Sequence, residues 1–138
     1  MRHLVKRESL ESKVAVSSAG TGDWHIGDLR DKRSRAVGET RGIPLTGRAQ
    51  QFVSGSYDGC EYVLAMDRAN RDELLRLART DADRSKVRLL RSFDAAAPHD
   101  AEVPDPYYGG ASGFEDVFDM CEAACAGLIA HLRATHRL

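Results

Sequence analysis

Between residues 114 and 132 an apolar side chain recurs at three- and four-residue steps: Phe114, Val117, Phe118, Cys121, Ala124, Cys125, Leu128, Ile129 and Leu132. These positions share one face of a helix, and an apolar face of that length has to be buried against other parts of the chain. Ser112, with Glu115 three residues on, reads as the capping box that opens the helix. Three short apolar runs precede it: Val14-Ala15-Val16-Ser17, Tyr62-Val63-Leu64-Ala65-Met66 and Val87-Arg88-Leu89-Leu90. Each is too short for a buried helix and reads as a buried strand.

Between the runs lie helical stretches. One spans Lys32 to Thr40 and ends before Gly42, with Pro44 beyond. Another follows the Tyr62–Met66 run, capped by Asp67 or by Asn70 (Glu73 lies three residues past Asn70), with Leu74, Leu75 and Leu77 partly facing the core. Met1 to about Leu10, with Met1, Leu4 and Val5 on one side, reads as the last turns of a helix that has no N-cap before it. Strands alternating with helices predict an α/β fold, a three-layer arrangement of a parallel sheet flanked by helices. With no repeat and no linker, residues 1–138 are expected to form a single domain.

Charge narrows the partners. Twenty Lys+Arg against 21 Asp+Glu leave a net charge of −1, which gives no footprint for nucleic acid or an anionic membrane surface. Arg30, Arg33, Arg35, Arg41 and Arg48 cluster, but Asp28, Asp31 and Glu39 are interspersed, so the segment reads as a solvated face. No run is long and apolar enough to span a bilayer, and residues 1–8 do not resemble a secretory signal. Three cysteines without framework spacing suggest reduced thiols and a cytoplasmic setting.

The stretch most suggestive of chemistry is Glu102-Val103-Pro104-Asp105-Pro106-Tyr107-Tyr108-Gly109. Each proline fixes its own φ and biases the residue before it toward extended backbone, so Asp105 is held away from helical geometry. Taken alone, this is a proline-rich turn with an exposed Asp. Trp24, the single tryptophan, reads by itself as a loop aromatic covering core. The Gly20-Thr21-Gly22 turn lacks the third glycine of a dinucleotide loop and the Gly-Lys-Ser/Thr of a Walker loop. Cys121, Cys125 and His131 offer a metal at most two ligands at helical spacing, so inert core thiols are the better account and no metal is expected.

Two of these segments together resemble the low-molecular-weight protein-tyrosine phosphatases: Asp105-Pro106-Tyr107-Tyr108-Gly109, and the Ser18-Ala19-Gly20-Thr21 turn leading to Trp24. Ala65-Met66-Asp67-Arg68-Ala69-Asn70 is similar to that family's strand-to-helix junction. Val87 to Asp94, ending in Ser92-Phe93-Asp94, is similar to the strand leading toward its acid loop. The resemblance thus covers nearly the whole chain. It implies hydrolysis of phosphotyrosine monoesters through a cysteinyl-phosphate, with no metal and no cofactor. Asp105 would be the general acid, protonating a tyrosinate whose conjugate acid has a pKa near 10. Trp24, Tyr107 and Tyr108 would wall a slot for the phenyl ring, and Ser18 would support the nucleophile region by hydrogen bonding. The implied partners are phosphotyrosine proteins or small aryl phosphates.

Two departures stand out. Cys-x5-Arg, which supplies that family's thiolate and phosphate clamp, is missing: six residues after Cys60, Cys121 and Cys125 come Met66, Gly127 and His131. Where the family often has Arg-Ala-Arg-Gln, this chain has Arg48-Ala49-Gln50-Gln51, expected to weaken loop support. The resemblance makes Met1-Arg2-His3-Leu4-Val5 the end of the first helix, with the first, central strand and phosphate loop expected to be missing. Such a chain is expected to be inactive, and unstable unless it rearranges or self-associates through the gap in its sheet. The alternatives are a non-catalytic interaction protein that keeps the family surface and, more weakly, an arsenate reductase relative.

Overall fold

The structure, a computed structural model, describes residues 1–22, 26–106 and 111–138, with the side chain of Ala111 outside that description. The chain divides into two compact units, Met1–Ser17 with Leu89–Leu138, and Ser18–Arg88.

In the first unit, helix α1 (Arg2–Arg7) and the long helix α5 (Ala111–His136) share an apolar cluster. Val5, Leu10 and Ile129 are buried at its centre, with Met1, Leu4, Val14, Val16 and Leu138 packed around them. Val14–Ser17 is therefore not a strand in this structure. Its valines face the cluster instead, and the Val16 carbonyl accepts a hydrogen bond from Arg2 Nε at 3.0 Å. The α5 face read from the sequence is the buried one, with Phe114, Ala124, Cys125, Leu128, Ile129 and Leu132 all at or below 7 % exposure. Ser112 lies inside α5 instead of capping it, so the expected capping box does not form around it. A 3₁₀ turn (Leu90–Phe93) packs on α5 at Gly127, where a Cβ would stand 1.8 Å from the Phe93 carbonyl oxygen. Only glycine permits that backbone approach.

In the second unit, helix α2 (Lys32–Thr40) starts at Asp31, whose carboxylate accepts from the Arg33 amide at 2.8 Å. It ends at Arg41, and Gly42 supplies the left-handed φ of +72° that turns the chain away. Strand β1 (Val63–Ala65) leads into α3 (Arg68–Leu77), capped by Asp67 through the Asn70 amide at 2.7 Å. Helix α4 (Asp81–Lys86) follows, capped by Thr80, and runs directly into β2 (Val87–Leu89), which ends where the first unit begins. β1 and β2 are neighbours in the sheet, and the helical crossover between them is the connection a parallel pair needs. The α/β reading with a parallel sheet and helices therefore holds.

A second 3₁₀ helix (Ser54–Gly59) buries Tyr57 completely. The Tyr57 hydroxyl donates to the Leu74 carbonyl, and its ring meets Phe52 edge-on at 5.0 Å. Nearby, buried Asp83 accepts from both Nε and the amide of Arg79, each at 3.0 Å, while Arg79 also reaches Asp58 at 2.6 Å.

Candidate active site

Asp105 is carried by a loop tied down just before it. Val103 is 5 % exposed and anchors the loop in the first unit. The Glu102 carbonyl accepts from Arg91 Nη1 at 2.9 Å, which joins the loop to the Leu90–Phe93 turn. Beyond these fixed points Pro104 and Asp105 are exposed, and Pro106 is half-buried beside the first turn of α5 at Gly113. Asp105 is thus exposed and outside any helix or strand. Tyr107 and Tyr108 lie outside the described residues, as does Trp24.

Ser18 begins the second unit. Its hydroxyl accepts from Arg30 Nη2 at 2.7 Å, and its carbonyl accepts from Gln50 Nε2 at 2.7 Å. An accepting hydroxyl keeps its own proton to donate elsewhere, which suits a support residue. The turn after Ser18 is laced to residues 48–52. Gly20 donates to the Gln50 carbonyl at 2.8 Å, and Phe52 donates back to the Gly20 carbonyl at 2.7 Å. On the far side of the turn, Gly27 donates to the Ala49 carbonyl and Ala49 to that of Asp28, both at 2.7 Å. Arg48 Nη1 donates to the Gly27 carbonyl at 2.9 Å.

This arrangement corrects two expectations. Gln50, where the resemblance expects arginine, does support the loop, since its amide is the donor to Ser18. Arg30 and Arg48 are also more than a solvated face, because both bind backbone carbonyls, Arg30 reaching Thr46 at 3.0 Å. Sequence reasoning passed over Arg30, Arg48 and Gln50 as braces of the turn after Ser18, and Arg91 as an anchor of the Asp105 loop. The contacts of the first three within this turn span 12 to 32 residues, beyond any local signal.

The thiols sit where nucleophiles do not. Cys121, on α5, is pushed up to about 11 by burial and then by Cys125 one turn away. Cys60 Sγ donates to the Ser56 carbonyl at 3.4 Å, and Cys125 is 6 % exposed. A reactive thiolate needs electropositive surroundings that lower its pKa, the reverse of the environment at Cys121. Among the described residues no group of three or more His, Cys, Asp or Glu is placed to hold a metal ion, and no helix is long and apolar enough to cross a membrane.

Comparisons with known proteins agree on the family. The sequence model of the low molecular weight phosphotyrosine protein phosphatases matches residues 1–138. A low molecular weight protein-tyrosine-phosphatase of Streptomyces coelicolor is 45% identical over 133 residues, covering 96% of this chain and 81% of its own. Low molecular weight protein-tyrosine phosphatase A of Mycobacterium bovis is 42% identical over 125 residues, covering 90% of this chain and 74% of its own. In three dimensions, a crystal structure of a protein tyrosine phosphatase from Entamoeba histolytica superposes with a TM-score of 0.91 at 34% identity. That superposition covers 99% of this chain and 86% of the amoebal one. With the α/β elements, the proline-framed Asp105 and the laced Ser18 turn, these matches place the chain in the low molecular weight phosphotyrosine protein phosphatase family.

Proposed function

We propose that this chain carries the acid and ring-binding half of a phosphotyrosine-hydrolysing centre, with Asp105 as general acid and Trp24, Tyr107 and Tyr108 as the walls of the phenyl slot. The observation that carries the reading is Asp105 itself: exposed, non-helical, framed by Pro104 and Pro106, and followed by the Tyr107-Tyr108-Gly109 run. As the acid it would hand a proton to the departing tyrosyl oxygen and then take one from the water that cleaves the cysteinyl-phosphate. Each transfer is worth roughly 10²–10⁴ in rate. Ser18 would steady the nucleophile's surroundings through its hydroxyl. Substrates would be phosphotyrosine-bearing proteins or small aryl phosphates.

None of the three cysteines here is followed at the sixth position by arginine, so neither the covalent step nor the phosphate clamp can be supplied by these 138 residues. By itself the chain would turn over nothing. That same feature supports the second reading, a non-catalytic protein that keeps the family's surface. Assaying 4-nitrophenyl phosphate with the 138-residue chain, and with a version carrying a Cys-x5-Arg segment ahead of residue 1, separates the cases. Silence from the first and turnover from the second is the expected result. Turnover by the first would refute the inactivity claim, and silence from both would favour the non-catalytic reading.

A further inference from the structure

The single tryptophan lies between Thr21 and Gly27, and the chain on both sides of it is bound to one short segment, residues 48–52. On the N-terminal side Gln50 Nε2 donates to the Ser18 carbonyl at 2.7 Å, Gly20 pairs with Gln50 and Phe52 through the backbone, and Gln51 Nε2 reaches Thr21 O at 3.4 Å. On the C-terminal side Arg48 Nη1 donates to the Gly27 carbonyl at 2.9 Å, and the backbone of Ala49 exchanges bonds with Gly27 and Asp28. Gly20 and Gln51 form a parallel bridge, and Leu29 and Arg48 an antiparallel one, so one segment holds the outgoing and the returning chain.

From this geometry we infer that Arg48 and Gln50 are positioning residues for the loop that carries Trp24: they clamp the chain on either side of it, at Ser18 and at Gly27. Neither side chain is needed to fill a core, for both are exposed. Each instead donates to a carbonyl of the loop that is 21 or 32 residues distant in sequence. Gly27 adopts a left-handed φ of +86°, and its amide and carbonyl are both taken by the segment. The loop's placement therefore depends on side chains that the acid loop does not share. In an aryl-phosphate slot this makes residues 48 and 50 determinants of ring binding, a consequence that rests on the slot reading of Trp24 proposed above. The clamp itself does not depend on that reading.

The test uses the 138-residue chain with Gln50→Glu, Arg48→Met and Gln50→Arg. Gln50→Glu keeps the shape and removes the donor, Arg48→Met keeps the stem and removes the guanidinium, and Gln50→Arg retains a donor. Hydrogen exchange at the Gly20 and Gly27 amides reads opening of the clamp, and acrylamide quenching reads exposure of Trp24. Losing one such bond should raise exchange and quenching by roughly two- to tenfold in the first two variants. Exchange at Arg71, inside α3, should stay unchanged, and Gln50→Arg should restore Gly20 toward the parent rate. Unchanged Gly20, Gly27 and Trp24 signals, or an equal rise at Arg71, would overturn the inference. A titration with an inert aryl phosphonate, made in a version carrying a Cys-x5-Arg segment ahead of residue 1 and followed by Trp24 emission, keeps the two ideas apart. If the clamp effects appear but the ligand leaves Trp24 untouched, the clamp stands and the slot reading falls.

Discussion

Arg91 reaches forward eleven residues to the Glu102 carbonyl, at 2.9 Å, while its Nε is buried without a hydrogen-bond partner among the described residues. The loop that presents Asp105 is thus held by a charged group that is only partly satisfied. Arg91→Met would remove a charge-assisted bond worth about 1.5–3 kcal/mol and also an orphaned donor costing about 1–3 kcal/mol. The two nearly offset. Urea denaturation should show a change below about 1 kcal/mol, while amide exchange rises over residues 101–105. A large loss of global stability would show that Arg91 holds the core and not the loop.

Gly127→Ala should be severe. The added Cβ would stand 1.8 Å from the Phe93 carbonyl oxygen and 2.8 Å from its carbon, and backbone atoms cannot rotate aside. Better helix propensity contributes about 1 kcal/mol in the other direction. Overpacking typically costs about 1–3 kcal/mol and here meets rigid partners, so a net loss of roughly 2 kcal/mol or more is expected. Denaturation at equal or higher urea than the parent would contradict the close approach of α5 to the Leu90–Phe93 turn.

Acid should weaken the second unit through Arg79. Hydrogen bonds from Arg79 hold the carboxyls of both Asp83 and Asp58 below the ordinary range. A carboxyl with a depressed folded-state pKa adds stability that is complete above its unfolded value, about 4, and is lost as pH falls through the lower folded value. Asp83→Asn should lower Tm at pH 7, and its gap to the parent should shrink between about pH 4 and pH 2. A gap that stays constant across that range would show that the carboxylate charge is not what matters.

Cys121 should resist alkylation. With its thiol pushed up to about 11 by burial, the thiolate fraction at pH 8 is two to three orders of magnitude below that of a free cysteine with a pKa of about 8.5. Iodoacetamide labelling followed by mass spectrometry should find Cys121 unmodified until denaturant is added. Rapid native labelling would place it in a different environment.

How far these features could be read in advance differed from element to element. The bounds of α2 followed from its own residues, because Asp31, Gly42 and Pro44 punctuate it locally. Helix α4 went unread: Asp81–Lys86 has no apolar periodicity and is held by the Thr80 cap and by Arg84 pairing with Asp81. Tyr57 was hidden for a similar reason, a lone aromatic in a Ser/Gly-rich stretch whose burial depends on Leu74 and Phe52. Val14–Ser17 had strand composition, yet strands are made by partner backbones and its valines found an apolar cluster instead. The exposed, non-helical setting of Asp105 was legible because Pro106 biases the residue before it away from helical backbone. The residues bracing Ser18 were not, because their effect crosses 12 to 32 residues.

The most direct test of Asp105 as the proton donor is the leaving-group dependence of its removal, measured in a version supplied with a Cys-x5-Arg segment. Phenyl phosphate leaves as a strong base and needs the proton, whereas 4-nitrophenyl phosphate leaves as a much weaker base and needs it far less. Asp105→Asn should lower kcat/KM, which reads the step that expels the leaving group and not the later hydrolysis, for phenyl phosphate by roughly 10²–10⁴ and for the nitrophenyl ester by much less. Equal losses on the two esters, or no loss on either, would contradict the account.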